Sequence, residues 1–260
     1  RYSDEGKVEA LAAFGKRDEH MYAELMAATK IGADGMDYDP EAIKPYYDRA
    51  FLRRKAQEIG RENFAATVQS YLEDAVVHYL KLMGEKFPDI DTLCLSGGVA
   101  ANIIMNLNIY ERTKFKKLYI FPPMGDEGVA VGAALLKALE AGEDIRWVNE
   151  YDMPYFGNLL TKEEIEKAID DFSTRVRSEF IGDDWYKEAA KSIVEKKIVA
   201  IVHGRMEFGP RALGNRSILA DPTDPQIKDR INLTVKRRPK YQPFCPSILE
   251  EERERLFEKS

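Results

Sequence analysis

Apolar residues recur three and four positions apart between Phe51 and Met83: Ile59, Phe64, Val68, Tyr71, Leu72, Ala75, Val76, Tyr79, Leu80 and Met83. That spacing predicts one long amphipathic helix, closed by Gly84 and Pro88. Val8 to Thr29 has helical periodicity with small residues, Leu11, Ala12, Ala13 and Phe14 among them. Thr92 to Leu95 is a short apolar run that enters Ser96-Gly97-Gly98, so it reads as a strand delivering the chain into a glycine turn. A helix follows from Val99 to Thr113, a second strand from Lys117 to Phe121, a turn from Pro122 to Asp126, and an alanine-rich helix from Glu127 to Ala141 ended by Gly142. Strand, glycine turn, helix, strand, turn and helix in that order predict an α/β layer with a partly parallel sheet.

Gly142 to Asn158 loses the periodicity and carries Gly142, Pro154 and Gly157, the composition of a linker. Thr161 and Glu164 form a capping-box pattern that opens a helix from Lys162 to Phe172. Arg175 to Phe180 alternates like a strand. Asp183 to Lys197 reads as a helix and Ile198 to Val202 as a buried strand. Pro225 to Thr234 and Leu249 to Phe257 also read as helical. Two domains are expected, residues 1–150 and 158–260, the second another α/β unit.

The chain has 260 residues, 44% hydrophobic and 32% charged, which excludes the disordered, collagen-like and low-complexity classes. No uncharged apolar run approaches the roughly 18–20 residues of a membrane-spanning helix, and no apolar signal core follows Arg1 to Lys7. Two cysteines, Cys94 and Cys245, make neither a disulfide framework nor a four-ligand zinc site, so a reducing, cytoplasmic setting is expected. The chain opens at Arg1 and stops at Ser260 just beyond a charged helical stretch, and reads as a fragment of something longer.

Charge changes the picture more than composition does. The formal net charge is -6, which argues against a nucleic-acid partner. From His203 to Gln242, however, nine basic residues face four acidic ones. The densest part is His203-Gly-Arg205-Met-Glu-Phe-Gly-Pro-Arg211-Ala-Leu-Gly-Asn215-Arg216-Ser217. Three arginines interleaved with Gly204, Gly209 and Gly214 are neither a core pattern nor a helix face, since Gly209-Pro210 interrupts it. Guanidinium forks on hinged backbone suit bidentate binding of phosphate or carboxylate, with Asn215 and Ser217 as neutral donors. The competing reading is a salt-bridged loop at a domain interface. Downstream, Lys236, Arg237, Arg238 and Lys240 lie in a stretch stiffened by Pro239, Pro243 and Pro246, which can hold cations against phosphates at small entropic cost.

Ser96-Gly97-Gly98 sits where a strand meets a helix, a place where backbone N–H groups approach an oxyanion; by itself the pair also fits a plain tight turn. Asn102 and Asn106 follow four apart on one face. Asp126, in Gly125-Asp126-Glu127-Gly128, can hold a divalent metal or a ribose hydroxyl, or cap the helix it precedes.

These residues carry a resemblance. Leu95-Ser-Gly-Gly-Val-Ala-Ala-Asn102 with Pro122-Pro-Met-Gly-Asp-Glu-Gly128 resembles the C-terminal lobe of an actin-like (ASKHA) ATPase domain of the threonylcarbamoyl-transferase type, and Asp4 to Gly15 looks like a stretch midway through the same family. Gly204 to Pro222 looks like the signature of the nodulation and antibiotic O-carbamoyltransferases, the NodU/CmcH family. Lys236 to Ser247 is similar to that family's next block, with Tyr241 and Gln242 where the family usually has Phe-Arg and Cys245 where it has Ala. The likeness covers nearly the whole chain and is weakest from Gly142 to Val199.

The resemblance implies the C-terminal part of an actin-like domain followed by the N-terminal part of a YrdC-like α/β domain. It implies an enzyme that makes carbamoyl-adenylate from carbamoyl phosphate and ATP, then passes the carbamoyl group to a hydroxyl-bearing acceptor such as a sugar or antibiotic. On that likeness Asp126 is the carboxylate of a divalent metal (Fe, or Mg or Zn). Ser96, Gly97, Gly98 and Asn102 line the nucleotide. Arg205, Arg211, Arg216, Ser217, Lys236, Arg238 and Lys240 grip carbamoyl phosphate and the phosphates of ATP.

The family's His-x-x-x-His metal pair does not occur among His20, His78 and His203, and is expected upstream. His78 is read as a core or boundary residue, and His203, at a strand end beside the arginine loop, as the functional candidate. Two other readings stay open: a nucleotide or carbamoyl-phosphate binding module without its own chemistry, and another ASKHA enzyme such as a sugar kinase or the hydrogenase-maturation carbamoyltransferase. Acceptor, metal identity and oligomeric state are not legible in the sequence.

Overall fold

A computed structural model describes residues 5–150 and 154–257. They divide into two compact units. One comprises the described residues up to Leu159 together with Gly204–Asn215; the other comprises Leu160–His203 and the chain from Arg216 onward.

The first unit is built around one helix. Its elements are α1 (Glu5–Ala12), α2 (Glu19–Ala27), β1 (Thr29–Gly32), β2 (Gly35–Tyr38), α3 (Pro40–Ile43), α4 (Arg49–Ile59), α5 (Arg61–Lys86), β3 (Thr92–Leu95), α6 (Ile103–Arg112), β4 (Lys117–Ile120) and α7 (Asp126–Glu140). α1, α2, α4, α6 and β1 all pack on α5. Small buried residues, Ala65, Ala66, Ala75 and Gly84, let these neighbours approach closely. β3 and β4 pair in parallel, Leu93 opposite Leu118 and Leu95 opposite Ile120, as the strand–turn–helix order predicts. The core lies between this sheet and the helices: Leu80, Met105, Ile109 and Phe115 are buried, with Leu72, Val76, Leu93 and Leu118 against them. Full burial of a side chain such as Ile109 contributes about 1.5–3 kcal/mol.

The single helix expected from Phe51 to Met83 is two helices. Gly60 breaks it at φ +90, a conformation open to glycine at no steric cost, and α5 then runs through Gly84 to Lys86. The Val8–Thr29 helix is likewise α1 and α2 with a turn between. Asp18 caps α2 by accepting from Met21 N, while its own N–H donates to the buried hydroxyl of Thr67 at 2.9 Å. The antiparallel hairpin of β1 and β2 is absent from the sequence reading, because its strands are only four residues long and mostly polar. His78 is exposed, not a core or boundary residue: α5 buries Ala75, Val77 and Leu80 around it and turns position 78 outward.

Polar side chains cross between α2, α5 and α6. Tyr22 Oη donates to Asp74 Oδ2 at 2.6 Å and Arg112 Nη2 to Asp74 Oδ1 at 2.6 Å. Arg17 lies over the Tyr22 ring at 4.2 Å. Burial works to raise the Asp74 carboxyl, but the bonds from Tyr22 and Arg112 outweigh it and hold it below the ordinary range. Burial pushes the Tyr22 phenol up to about 12, and its bond to Asp74 reinforces the shift. A raised folded-state value means that the folded chain keeps this proton after the unfolded chain has lost it. The stabilisation is therefore complete below an ordinary phenol pKa of about 10 and is lost as pH rises through about 12. Phenolate absorbance of the protein against Tyr22→Phe is expected to show the missing tyrosine titrating near 12; a difference titration centred near 10 would contradict the assignment.

The second unit holds α8 (Lys162–Asp171), α9 (Trp185–Val194), β5 (Val199–Val202), β6 (Arg216–Leu219), α10 (Ile227–Arg230) and α11 (Arg253–Leu256). The capping box at Thr161 and Glu164 is present in both directions. The strand expected over Arg175–Phe180 does not form; these residues are irregular and exposed, Phe180 almost fully. Val199–Val202 does form a strand, but every second residue is exposed, so it is half-covered rather than buried. Its antiparallel partner is β6, with Val202 opposite Arg216 and Ile201 opposite Ser217. Lys196, at φ +64, ties the far end of the hairpin: its ammonium pairs with Asp221, and its carbonyl accepts from Arg230 Nη2 at 2.6 Å. Pro225–Thr234 is helical only as α10 followed by a π-turn over Ile231–Val235.

Candidate active site

Three loops meet in the first unit. The turn after β3 places Gly97 so that its N–H donates to the carbonyl of Met124 at 2.7 Å. Met124 belongs to the Pro122–Gly125 turn between β4 and α7. On that same turn rests the arginine loop: a Cβ built on Gly209, whose φ is +130, would stand 3.0 Å from the carbonyl oxygen of Pro122. Only glycine combines that φ with so close a backbone approach. The sequence motifs about 30 and 110 residues apart thus become neighbours.

The arginine loop is folded from within. Glu207 is buried, 8% exposed, and one of its oxygens accepts from both Leu213 N and Asn215 N at 2.7 Å. Asn215 Nδ2 donates to the carbonyl of Arg205 at 2.7 Å. Residues 154–157, expected to be linker, pack along the loop: Gly157 N donates to Met206 O at 2.9 Å, Phe208 N to Pro154 O at 2.7 Å, and Tyr155 Oη to Leu213 O at 2.9 Å. Arg205 and Arg211 are exposed. Among the described residues the Arg205 guanidinium reaches only the carbonyl of Gly157, from Nη1 at 3.2 Å. Arg211 has no hydrogen-bond or ion-pair partner among the described residues. Neither fork pairs with a carboxylate among the described residues, so both are open to an anion.

The other candidates in this unit fare differently. Ser96, Gly97 and Gly98 are exposed at the turn, although Gly97 N–H already holds Met124. Asn102 stands outside α6 as its N-cap, accepting from Met105 N at 2.9 Å, and exchanges two amide bonds with Gln69 at 2.8 and 3.0 Å. Its side chain is committed to joining α5 and α6. Asn106 Nδ2 holds the carbonyl of Ala100. Asp126 is the first residue of α7, with Gly125 as N-cap, and its side chain makes no capping bond. Its exposed carboxylate beside the helix N-terminus supplies one hard oxygen donor. Among the described residues no group of three or more His, Cys, Asp or Glu is placed to hold a metal ion. Asp126 and its neighbours therefore do not make a metal site by themselves.

Arg216, Ser217, Lys236, Arg238 and Lys240 lie in the second unit. Arg216 Nη1 donates to the carbonyl of His203 at 2.9 Å, across the β5–β6 pair. The exposed His203 ring lies 5.6 Å from Trp185. Asn232, fully buried, organises the basic stretch: its amide donates to Lys240 O and Gln242 O, and its oxygen accepts from Arg238 Nε at 2.6 Å. Arg238 also reaches Pro243 O and stacks on Phe244 at 4.6 Å. Partial burial lowers its pKa. Lys240 pairs with Asp229 at 3.1 Å. Arg238 and Lys240 thus hold their own segment together. Lys236 is exposed; its N–H donates to Ile231 O at 2.9 Å, and its ammonium has no partner among the described residues. Glu207 and Asn232 are the organising residues that the motifs do not announce. The one available signal was an acid set between Arg205 and Arg211, and an Asn ahead of a Lys-Arg-Arg-Pro run.

The family model for the carbamoyltransferase N-terminus matches residues 1–135, and that for the carbamoyltransferase C-terminus matches residues 190–260. The chain is 54% identical over 262 residues to protein MJ1058 of Methanocaldococcus jannaschii, covering 99% of this chain and 43% of that protein. It is 35% identical over 260 residues to the nodulation protein NolO of Bradyrhizobium diazoefficiens, covering 98% and 47%. It is 28% identical over 260 residues to the 3'-hydroxymethylcephem-O-carbamoyltransferase of Streptomyces clavuligerus, covering 99% and 46%. The chain spans less than half the length of each of these relatives.

Proposed function

Since this chain belongs to the carbamoyltransferase family of the nodulation and cephem-modifying proteins, we propose that it serves an ATP-dependent O-carbamoyltransferase. The donor is carbamoyl phosphate and the acceptor a hydroxyl-bearing small molecule of the sugar or antibiotic kind. In this reading residues 1–150 are the C-terminal part of an actin-like lobe and residues 158–260 the opening of a YrdC-like domain.

The observation that supports it is the meeting of two glycine turns with the arginine loop in one unit: Gly97 on Met124, Gly209 on Pro122, and on the same loop an exposed Arg211 with no hydrogen-bond or ion-pair partner among the described residues. Carbamoyl phosphate must lose its phosphate to water before the carbamate oxygen can be adenylated. That oxygen then bonds to the α-phosphorus of ATP and pyrophosphate departs. Two polyanions are brought together in this step, and fixed positive charge offsets their repulsion without reorganising during the reaction. Arg205 and Arg211 supply it in the first unit. In the second unit Arg216 and Lys236, with Ser217 as a neutral donor, are assigned phosphate binding within that unit. The acceptor hydroxyl next attacks the carbamoyl carbon, and AMP leaves. A divalent cation (Fe, Mg or Zn) belongs to this proposal only with donors beyond Asp126. No described helix is long and apolar enough to cross a membrane.

The test is isotope exchange between pyrophosphate and ATP by the intact natural protein. Exchange that requires carbamoyl phosphate is the expected result. Exchange that ignores carbamoyl phosphate, or none with every substrate present, would overturn the reading.

A further inference from the structure

We infer that Glu207 is a positioning residue for carbamoyl transfer, acting through Arg211; this rests on the function proposed above. Glu207 is 8% exposed, and one of its oxygens bridges two backbone amides, Leu213 N and Asn215 N, both at 2.7 Å. Charge-assisted bonds of this kind are short and about twice as strong as neutral ones. They close the chain from Glu207 to Asn215 into a ring-like loop, with Arg211 midway round it. Gly209 and Gly214, at φ +130 and +114, supply the bends, and Tyr155 Oη fastens the outside at Leu213 O. Among the described residues the Arg211 side chain has no hydrogen-bond, ion-pair or ring partner that could set its position. Its placement is inherited from the loop, and the loop is held by Glu207.

A pre-closed loop presents its fork to phosphate without ordering the chain at each turnover. Misplacing a catalytic group by about 1 Å is enough to cost roughly 10²-fold in rate. Glu207→Ala removes the acceptor and leaves two amides without a partner. Glu207→Gln keeps an oxygen that can accept from both.

The experiment measures carbamoyl-phosphate-dependent pyrophosphate exchange by the intact protein carrying Glu207→Ala, Glu207→Gln, Arg211→Ala or the double change. Hydrogen exchange of the Leu213 and Asn215 amides is followed alongside. Glu207→Ala is expected to lower the exchange kcat roughly 10²-fold, to expose both amides, and to add little in the Arg211→Ala background, since the two act as one unit. Glu207→Gln is expected to recover activity to within about fivefold. A merely structural role would add the same loss in both backgrounds, and that result overturns the inference. So does wild-type exchange by Glu207→Ala while Arg211→Ala is inactive, which leaves the function standing. Full activity of Arg211→Ala overturns both. If Glu207→Ala fails to fold, Glu207→Asp withdraws the acceptor by one methylene and is expected to show the same coupled loss; unaltered exchange by it contradicts the inference.

Discussion

Arg211→Ala is expected to lower carbamoyl-phosphate-dependent exchange by about 10²–10³-fold, the usual effect of removing one fixed electrostatic group at a developing charge. The melting temperature is expected to stay where it is. Both halves of this outcome come from one observation. The guanidinium is exposed and has no partner among the described residues, so its removal breaks no contact that holds the fold, and surface changes of that kind stay within about 0.5 kcal/mol. Arg205 is less clean, because its fork also holds Gly157 O. Kinetics and thermal melts of Arg211→Ala check the claim. An active variant, or one that loses activity only because it unfolds, would contradict it.

Gly128→Ala is expected to cost about 3 kcal/mol, the upper part of the range for overfilling a packed site. A methyl group there would stand 2.0 Å from the carbonyl oxygen of Pro123 and 3.1 Å from the Phe121 ring. The carbonyl is backbone and cannot swing aside as a side-chain tip would. Pro123 lies in the turn that Gly97 and Gly209 contact through Met124 and Pro122, so exchange activity is expected to fall as well. Gly132, one turn further along α7, has nothing within 4 Å of its built Cβ. Gly132→Ala is expected to be neutral or to stabilise by up to about 1 kcal/mol, the helix preference for alanine. Urea unfolding of the pair checks both, and equal midpoints would contradict the packing account.

Local chemistry made much of this fold legible. The Thr161–Glu164 capping box, the strand before Ser96-Gly97 and the helix after Gly125 all rest on contacts within a few residues. What failed depended on longer range. Gly60 splits the long helix although the apolar spacing continues through it, since periodicity reports a face and not a bend. Arg175–Phe180 alternates but finds no partner strand among the described residues. The forks and glycines of the arginine loop mark it in the sequence as a candidate anion site. Its support was not: Glu207 bonds to amides six and eight residues on, which only the turns at Gly209 and Gly214 bring into reach. The bonds of Asn102 were not legible for the same reason. Its position beside the glycine turn suited nucleotide, while its partner Gln69 lies 33 residues earlier in α5.

The loop displaying Arg205 and Arg211 is proposed to receive a phosphorylated substrate. Crystals of the intact protein soaked with carbamoyl phosphate and a non-hydrolysable ATP analogue test it most directly. Phosphate oxygens are expected within hydrogen-bond distance of the Arg211 guanidinium, with Glu207 still bridging Leu213 and Asn215. Substrate bound elsewhere with Arg211 bare, or Arg211 drawn onto a carboxylate of the protein, would contradict it.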